Sequence, residues 1–248
     1  MPMKNLSPDK NIAGFITNLN RQAKADKIKL ILDEAREKPP KAVSKQRLLD
    51  IGTGNGEIAG YLSKFYDVVS VDVVDQRTFH EGYEYVQLDR DELPFPDKSF
   101  DLVVSNHVIE HVRNQDLHLS EISRVLKNDG LVYLATPNRL WPREVHNKVY
   151  FLHYLPSRTF NALLKRMGRH HEDVHLLTWQ ALSRKAASFF TVSTVSDKIC
   201  KWPLKYHMHC HPLHAKFLSM VPLVFFRMLT FLHPTLVVVL RQRQASVI

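Results

Sequence analysis

The sequence predicts an α/β fold, with a mostly parallel sheet covered by helices on both faces. Two observations predict it. Short apolar runs of strand length alternate with amphipathic helical stretches, and buried parallel strands read as continuous Val, Ile and Leu rather than as alternating patterns. The first of these runs also leads directly into a glycine-rich turn and then a helical pattern.

The elements follow in order. Residues 12–36 have helical spacing, with Ile12, Phe15, Ile16, Leu19, Ile28, Ile31 and Leu32 among charges, and Pro39-Pro40 blocks continuation. Arg47-Leu48-Leu49-Asp50-Ile51 is a buried strand, followed by Gly52-Thr53-Gly54-Asn55-Gly56 and a helix carrying Ile58, Ala59, Leu62 and Phe65. Val68–Val71, closed by Asp72, is the second strand, and Tyr83–Leu88, closed by Asp89, is the third. Phe100–Ser105 is the fourth. A helix with Ser120, Ile122, Val125 and Leu126 is expected to stop at Asn128-Asp129-Gly130, before the fifth strand at Leu131–Ala135. Thr178 caps a helix running to about Ser188. Phe190–Val195 and Thr235–Arg241 are strands six and seven.

Composition narrows the class. A chain of 248 residues with 44% hydrophobic residues is neither disordered nor too small for a core. Two cysteines, Cys200 and Cys210, give no disulfide framework and no Cys-x-x-Cys pair. The polar N-terminus lacks the apolar core of a signal peptide. The expected compartment is the cytoplasm, with peripheral attachment to the inner membrane face as a further expectation. The net charge is +9, and it is unevenly placed. Residues 139–248 carry 16 Lys and Arg against Glu144, Glu172, Asp173 and Asp197, whereas the first 138 residues are mildly acidic. Such a basic half suits nucleic acid, an anionic membrane surface or an acidic acceptor.

The glycine turn and the acidic residues at strand ends point to a ligand. In a doubly wound sheet ligands bind beyond the carboxyl ends of the strands. Asp72, 22 residues after Asp50, ends the second strand, where a carboxylate takes two ribose hydroxyls. Asp89 can accept from an exocyclic amino group, so the ligand reads as an adenosine-containing cofactor. The turn departs from the dinucleotide pattern, because Glu57 stands where the third glycine belongs and would repel pyrophosphate. Asp50 directly before the turn suits a cation. A sulfonium with an amino-acid tail fits these charges, and a Walker loop is excluded because no Gly-Lys-Ser/Thr follows.

From Leu48 to Asn138 the sequence resembles the class I S-adenosylmethionine-dependent methyltransferases, particularly the type 11 group. The residues that carry the resemblance are Leu48–Gly56, Val71-Asp72, Asp89 before Leu93–Asp101, Ser105–Val112 and Arg124–Gly130. It implies a Rossmann-like, seven-stranded sheet with the last strand antiparallel, and S-adenosyl-L-methionine as cofactor. By resemblance, Asp50, Gly52 and Gly54 line the methionine half, Asp72 holds the ribose, Asp89 holds adenine, and Asn106 lies beside the methionine moiety. Glu110-His111 looks like the family's Glu-His pair. The region after the fifth strand resembles an insertion that forms part of the acceptor pocket, which makes Arg139, Arg143, Glu144 and His146 substrate-side residues.

A sulfonium already activates its methyl group, so the protein mainly positions the partners. A base is needed only for a poorly nucleophilic acceptor, and His107, His111 and His146 are candidates. The expected organisation is a helical segment over 1–46, a cofactor-binding core over 47–138, and an acceptor-recognition and C-terminal part over 139–248, all in one structural domain. The expected reaction is methyl transfer to a small or lipid-linked, anionic acceptor. Alternatives are an RNA methyltransferase and a non-catalytic cofactor-binding module. No resident metal is expected, although His207, His209, Cys210, His211 and His214 cluster in sequence. The apolar stretch 217–232 is too interrupted for a span and reads either as a buried helix or as one lying in a membrane interface.

Overall fold

A computed structural model describes residues 10–36, 45–89, 92–142, 150–168 and 174–243. Seven strands form one sheet: β1 (Arg47–Ile51), β2 (Asp67–Asp72), β3 (Glu84–Gln87), β4 (Phe100–Asn106), β5 (Leu126–Pro137), β6 (Phe190–Thr194) and β7 (Thr235–Gln242). Their order is β3-β2-β1-β4-β5-β7-β6. All pairings are parallel except those of β7, which runs antiparallel to both β5 and β6. The last strand is therefore antiparallel, as the resemblance implies.

Eight helices occur among the described residues: α1 (Lys10–Ala35), α2 (Glu57–Leu62), α3 (Gln115–Val125), α4 (Ser157–Arg166), α5 (Trp179–Ala187), α6 (Ser196–Lys201), α7 (Pro212–Met220) and α8 (Leu223–Met228). The alternation of strand side chains sorts them between two cores. Leu48, Val68, Leu102, Val104 and Tyr133 pack with Ile28 and Leu32 of α1 and Leu62 of α2. Leu49, Val69, Val103 and Val132 pack with Leu119 and Ile122 of α3 and Leu182 of α5. Thr178 caps α5 by accepting from Ala181 N–H.

Three local expectations are corrected. The helix α3 ends at Val125, a turn earlier than the Asn128-Asp129-Gly130 stop, because buried Leu126 is drawn into strand pairing opposite Phe100. Gly130 does not adopt the left-handed backbone of a glycine cap, and residues 127–130 fall instead in a β4–β5 register shift. Phe65 lies beyond the end of α2 and is exposed. The apolar stretch 217–232 is not one buried helix. It breaks at Val221-Pro222 into α7 and α8, and both turn large apolar side chains outward. Among the described residues no helix is long and apolar enough to cross a membrane.

The strand order fixes the site. From β1 the chain winds outward to β2 and β3, then returns to place β4 on the other side of β1. The chain leaves the carboxyl end of β1 for α2 and that of β4 for α3, on opposite faces of the sheet, and ligands of such sheets bind in the crevice between.

Candidate active site

The crevice is built first from the glycine turn. Gly52, Gly54 and Gly56 all have positive φ, at 84°, 53° and 85°. Two of them are forced by crowding: a Cβ on Gly52 would overlap Val108, and one on Gly56 would overlap the Phe79 carbonyl. Gly54 differs, because no atom lies within 4 Å of where its Cβ would stand. Its open face leaves the backbone accessible to a ligand.

Two carboxylates border the turn. Asp72 accepts from Gly54 N–H at 3.0 Å, so the end of β2 is tied to the turn. Asp50 lies opposite Ser70 in the parallel register of β1 and β2, and Ser70 Oγ donates to Asp50 Oδ2 at 2.8 Å. Thr53 Oγ1 lies 2.7 Å from the same Ser70 hydroxyl and completes the chain of hydroxyls. Burial pushes the Asp50 carboxyl up to about 7, against the opposing hydrogen bond from Ser70, and the charge of Asp72 adds to the rise. Asp89 sits exposed in the turn after β3.

The end of β4 forms the opposite wall. Asn106 is half-buried opposite Ala135, and His107 N–H donates to the Ala135 carbonyl at 2.8 Å. His107 has φ 61°, a conformation that costs a non-glycine residue about 1–3 kcal/mol and that clusters at functional sites. Val108, the next residue, is the one that crowds Gly52. His107 Nδ1 lies 3.3 Å from Glu110 Oε1, with the histidine side chain 37% exposed and the glutamate fully buried. Thr136 Oγ1 donates to the other Glu110 oxygen at 2.9 Å. The His107 contact is the main reason the Glu110 carboxyl stays below its ordinary range, against a desolvation that would raise it. Glu110 thus meets His107, three residues earlier in the chain. His111 is half-buried in the same turn, its N–H donating to Val108 O.

Residues 18–216 match the family model described as a methyltransferase domain. The chain belongs to the methyltransferase domain family. A probable S-adenosylmethionine-dependent methyltransferase of Mycobacterium tuberculosis is 36% identical over 99 residues, 38% of this chain and 36% of that protein. A ubiquinone biosynthesis O-methyltransferase of Pelagibacter ubique is 28% identical over 151 residues, 56% of this chain and 62% of that protein. The chain therefore spans less than two thirds of these curated relatives. A Haloferax volcanii methyltransferase, solved with the Trm112 methyltransferase activator, shares the fold at TM-score 0.55 and 16% identity, over 95% of both chains.

The cofactor of these methyltransferases is S-adenosylmethionine, and the residues present fit it. The open Gly54 backbone accommodates a ligand against the turn, and a buried, poorly compensated carboxylate at Asp50 suits a cationic group.

The region that the resemblance assigns to the acceptor lies beyond β5. Asn138 is buried; its side-chain amide donates to Phe231 O and His233 O at 2.8 Å each, and its Oδ1 accepts from Leu140 N–H. Arg139 is half-buried and borders a cavity of about 170 Å³ with Gln115, His153, Phe160 and His175. His175 N–H donates to the Glu110 carbonyl at 2.6 Å, which joins this cavity to the Glu110 turn. Tyr150, Phe151 and Tyr154 form an exposed aromatic row nearby, with ring centroids 6.3 and 5.9 Å apart. Arg143, Glu144 and His146 lie outside the described residues. Among the described residues, no three His, Cys, Asp or Glu side chains are grouped to hold a metal.

Sequence reasoning missed Thr136, Ser70, His153 and His175. Ser70 is a polar interruption in Val68-Val69-Ser70-Val71, a signal that was available. The others act through long-range contacts that local spacing does not encode.

Proposed function

We propose that this chain transfers the methyl group of S-adenosylmethionine to a hydroxyl on a small, lipid-linked acceptor of anionic character. Bound S-adenosylmethionine supplies a sulfonium-activated methyl group. Asp50, Gly52, Gly54 and Asn106 would hold its amino-acid half, Asp72 its ribose and Asp89 its adenine.

The observation that carries the reading is His107. It stands at a strained position one residue from the contact with the glycine turn, with buried Glu110 behind it. A base is superfluous for an amine that already carries a lone pair, but a hydroxyl has a proton to lose. Glu110, fixed by Thr136, favours the proton on Nδ1 of His107 and leaves Nε2 to take the acceptor's proton. The similarity to an O-methyltransferase of ubiquinone biosynthesis favours the same acceptor atom. The aromatic row at Tyr150, Phe151 and Tyr154 suits an apolar or ring-bearing acceptor, and the basic second half suits an anionic one.

The test is transfer of labelled methyl from S-adenosylmethionine to lipid extracts, with the product identified by mass spectrometry. A methyl ether in the lipid fraction is the expected product. Label confined to amines or to RNA would overturn the acceptor assignment.

A further inference from the structure

After Asp197 the sequence holds no acidic residue at all, while it carries seven Lys and Arg. Within this stretch the fold leaves its largest apolar side chains uncovered. On α7, Leu213, Phe217 and Met220 recur at helical spacing and are 70%, 67% and 76% exposed. On α8, Val224, Phe225 and Met228 are 63%, 57% and 70% exposed. Phe231 and Leu232, in the turn that follows, continue the exposed series. The inward residues Ala215 and Phe226 are buried, and both helices pack on α6, so each helix has a seated side and an outward side. Lys201 donates to the carbonyls of Ser219 and Val221 and fixes the break between the helices. Soluble surfaces rarely carry this much apolar side chain without a partner.

Charge indicates what covers it. Asp197, the one acidic residue from α6 onward, is fully buried and held by Arg227 at 3.2 Å. Exposed Lys216 and the outer part of the Arg227 side chain flank the apolar stripes. Apolar side chains bordered by cations, in a segment with no carboxylate side chain after Asp197, match acyl chains beneath anionic headgroups. The surface also ends at the catalytic edge of the sheet: Asn138, at the end of β5, donates to the carbonyls of Phe231 and His233.

We infer that α7, α8 and the turn to His233 form a docking face for an anionic lipid bilayer, seated beside the acceptor side of the active site. The use of this face, delivery of a lipid-linked acceptor, rests on the reading above. The docking itself does not.

The experiment sediments the full chain with vesicles of phosphatidylcholine alone and of phosphatidylcholine mixed with phosphatidylglycerol. Association is expected with the mixed vesicles, weakened by added salt. The double variant Phe217→Ser/Phe225→Ser should bind them about tenfold more weakly, because it removes two inserted side chains. Lys216→Glu should also weaken binding to the mixed vesicles. Both side chains of the double variant are exposed, so its calorimetric affinity for S-adenosylmethionine should match the parent. That control separates failure of docking from failure of the cofactor site. Absence of binding to anionic vesicles, or equal binding by the double variant, would overturn the inference. A concentration-dependent dimer abolished by the same variant would assign the face to a second copy of the chain instead.

Discussion

The cofactor side and the proposed acceptor side meet at one edge of the sheet and are built in different ways. On the cofactor side, parallel register places Asp50 against Ser70, and Asp72 grips the glycine turn through Gly54 N–H. Nearly every group there is set by a strand or by a turn that tolerates only glycine. On the acceptor side, a short 3-10 turn (Leu152–Tyr154) and α4 rest on a small core of Phe160, Leu164 and Val174, while aromatic side chains stand exposed. On the proposed reading, one scaffold serves two ligands in two ways. A small cation of fixed shape is met by rigid backbone and buried charge. On the same reading, an acceptor that brings its own apolar bulk would be met by surface.

His107 stands where the two sides touch, so its replacement should separate them most sharply. His107→Ala should lower turnover by ~10²- to 10⁴-fold, the range for loss of a positioned base, with S-adenosylmethionine affinity unchanged. Single-turnover kinetics alongside calorimetry checks both quantities. A loss confined to cofactor affinity would move His107 to the cofactor side and end its role as base. Thr136→Val should produce a smaller loss in the same direction and shift the pH profile, because it releases one oxygen of Glu110.

Asp72→Ala sharpens the other side. It should weaken S-adenosylmethionine binding by ~1–3 kcal/mol, the scale of lost hydrogen bonds to a charged group. The Michaelis constant for the acceptor should not change. Unchanged cofactor affinity would refute the ribose assignment.

The two sides also differed in how far local sequence could reveal them. The sheet was legible because buried parallel strands are short apolar runs, and Arg47–Ile51 and Thr178 fall where pattern and capping place them. The glycine turn was legible because left-handed backbone and close packing leave few other residues possible. Contacts between distant segments were not. Nothing local brings Glu110 to His107, since that contact depends on a positive φ at His107. Nor does spacing show that Leu126 leaves the helix to pair with Phe100, or that 217–232 breaks and faces outward. Those outcomes are decided by tertiary partners.

Gly52→Ala tests the rigidity attributed to the cofactor side. A Cβ there meets Val108 and must also adopt φ 84°, so the fold should lose about 1–3 kcal/mol in denaturant titration. A matching change at Gly54, where no atom crowds the Cβ position, should cost less stability and should act mainly on cofactor affinity. Equal stability losses at the two positions would remove the distinction between a packed glycine and one that opens a ligand surface.

Asp50 has an effect that is read as a slope against pH, below about 7. Its folded carboxyl is raised from 3.8 to about 7, so the protonated form supports the cofactor-free fold, and that support is lost as pH rises through about 7. Glu110 titrates with the opposite sign, since a lowered carboxyl supports the fold at higher pH and loses that support on acidification. The parent's stability profile therefore mixes the two, and only the difference from Asp50→Asn isolates Asp50. Cofactor binding gives the cleaner reading. If ionised Asp50 faces the cationic half of the cofactor, binding below about pH 7 must expel a proton. Affinity should then rise by up to about tenfold per pH unit toward 7 and level off above it. Calorimetry in buffers of different ionisation enthalpy should show the released proton in the parent and none in Asp50→Asn. A flat affinity profile in the parent would mean that Asp50 supports the turn through Ser70 without meeting the cation, and the charge on the cofactor side would then rest with Asp72.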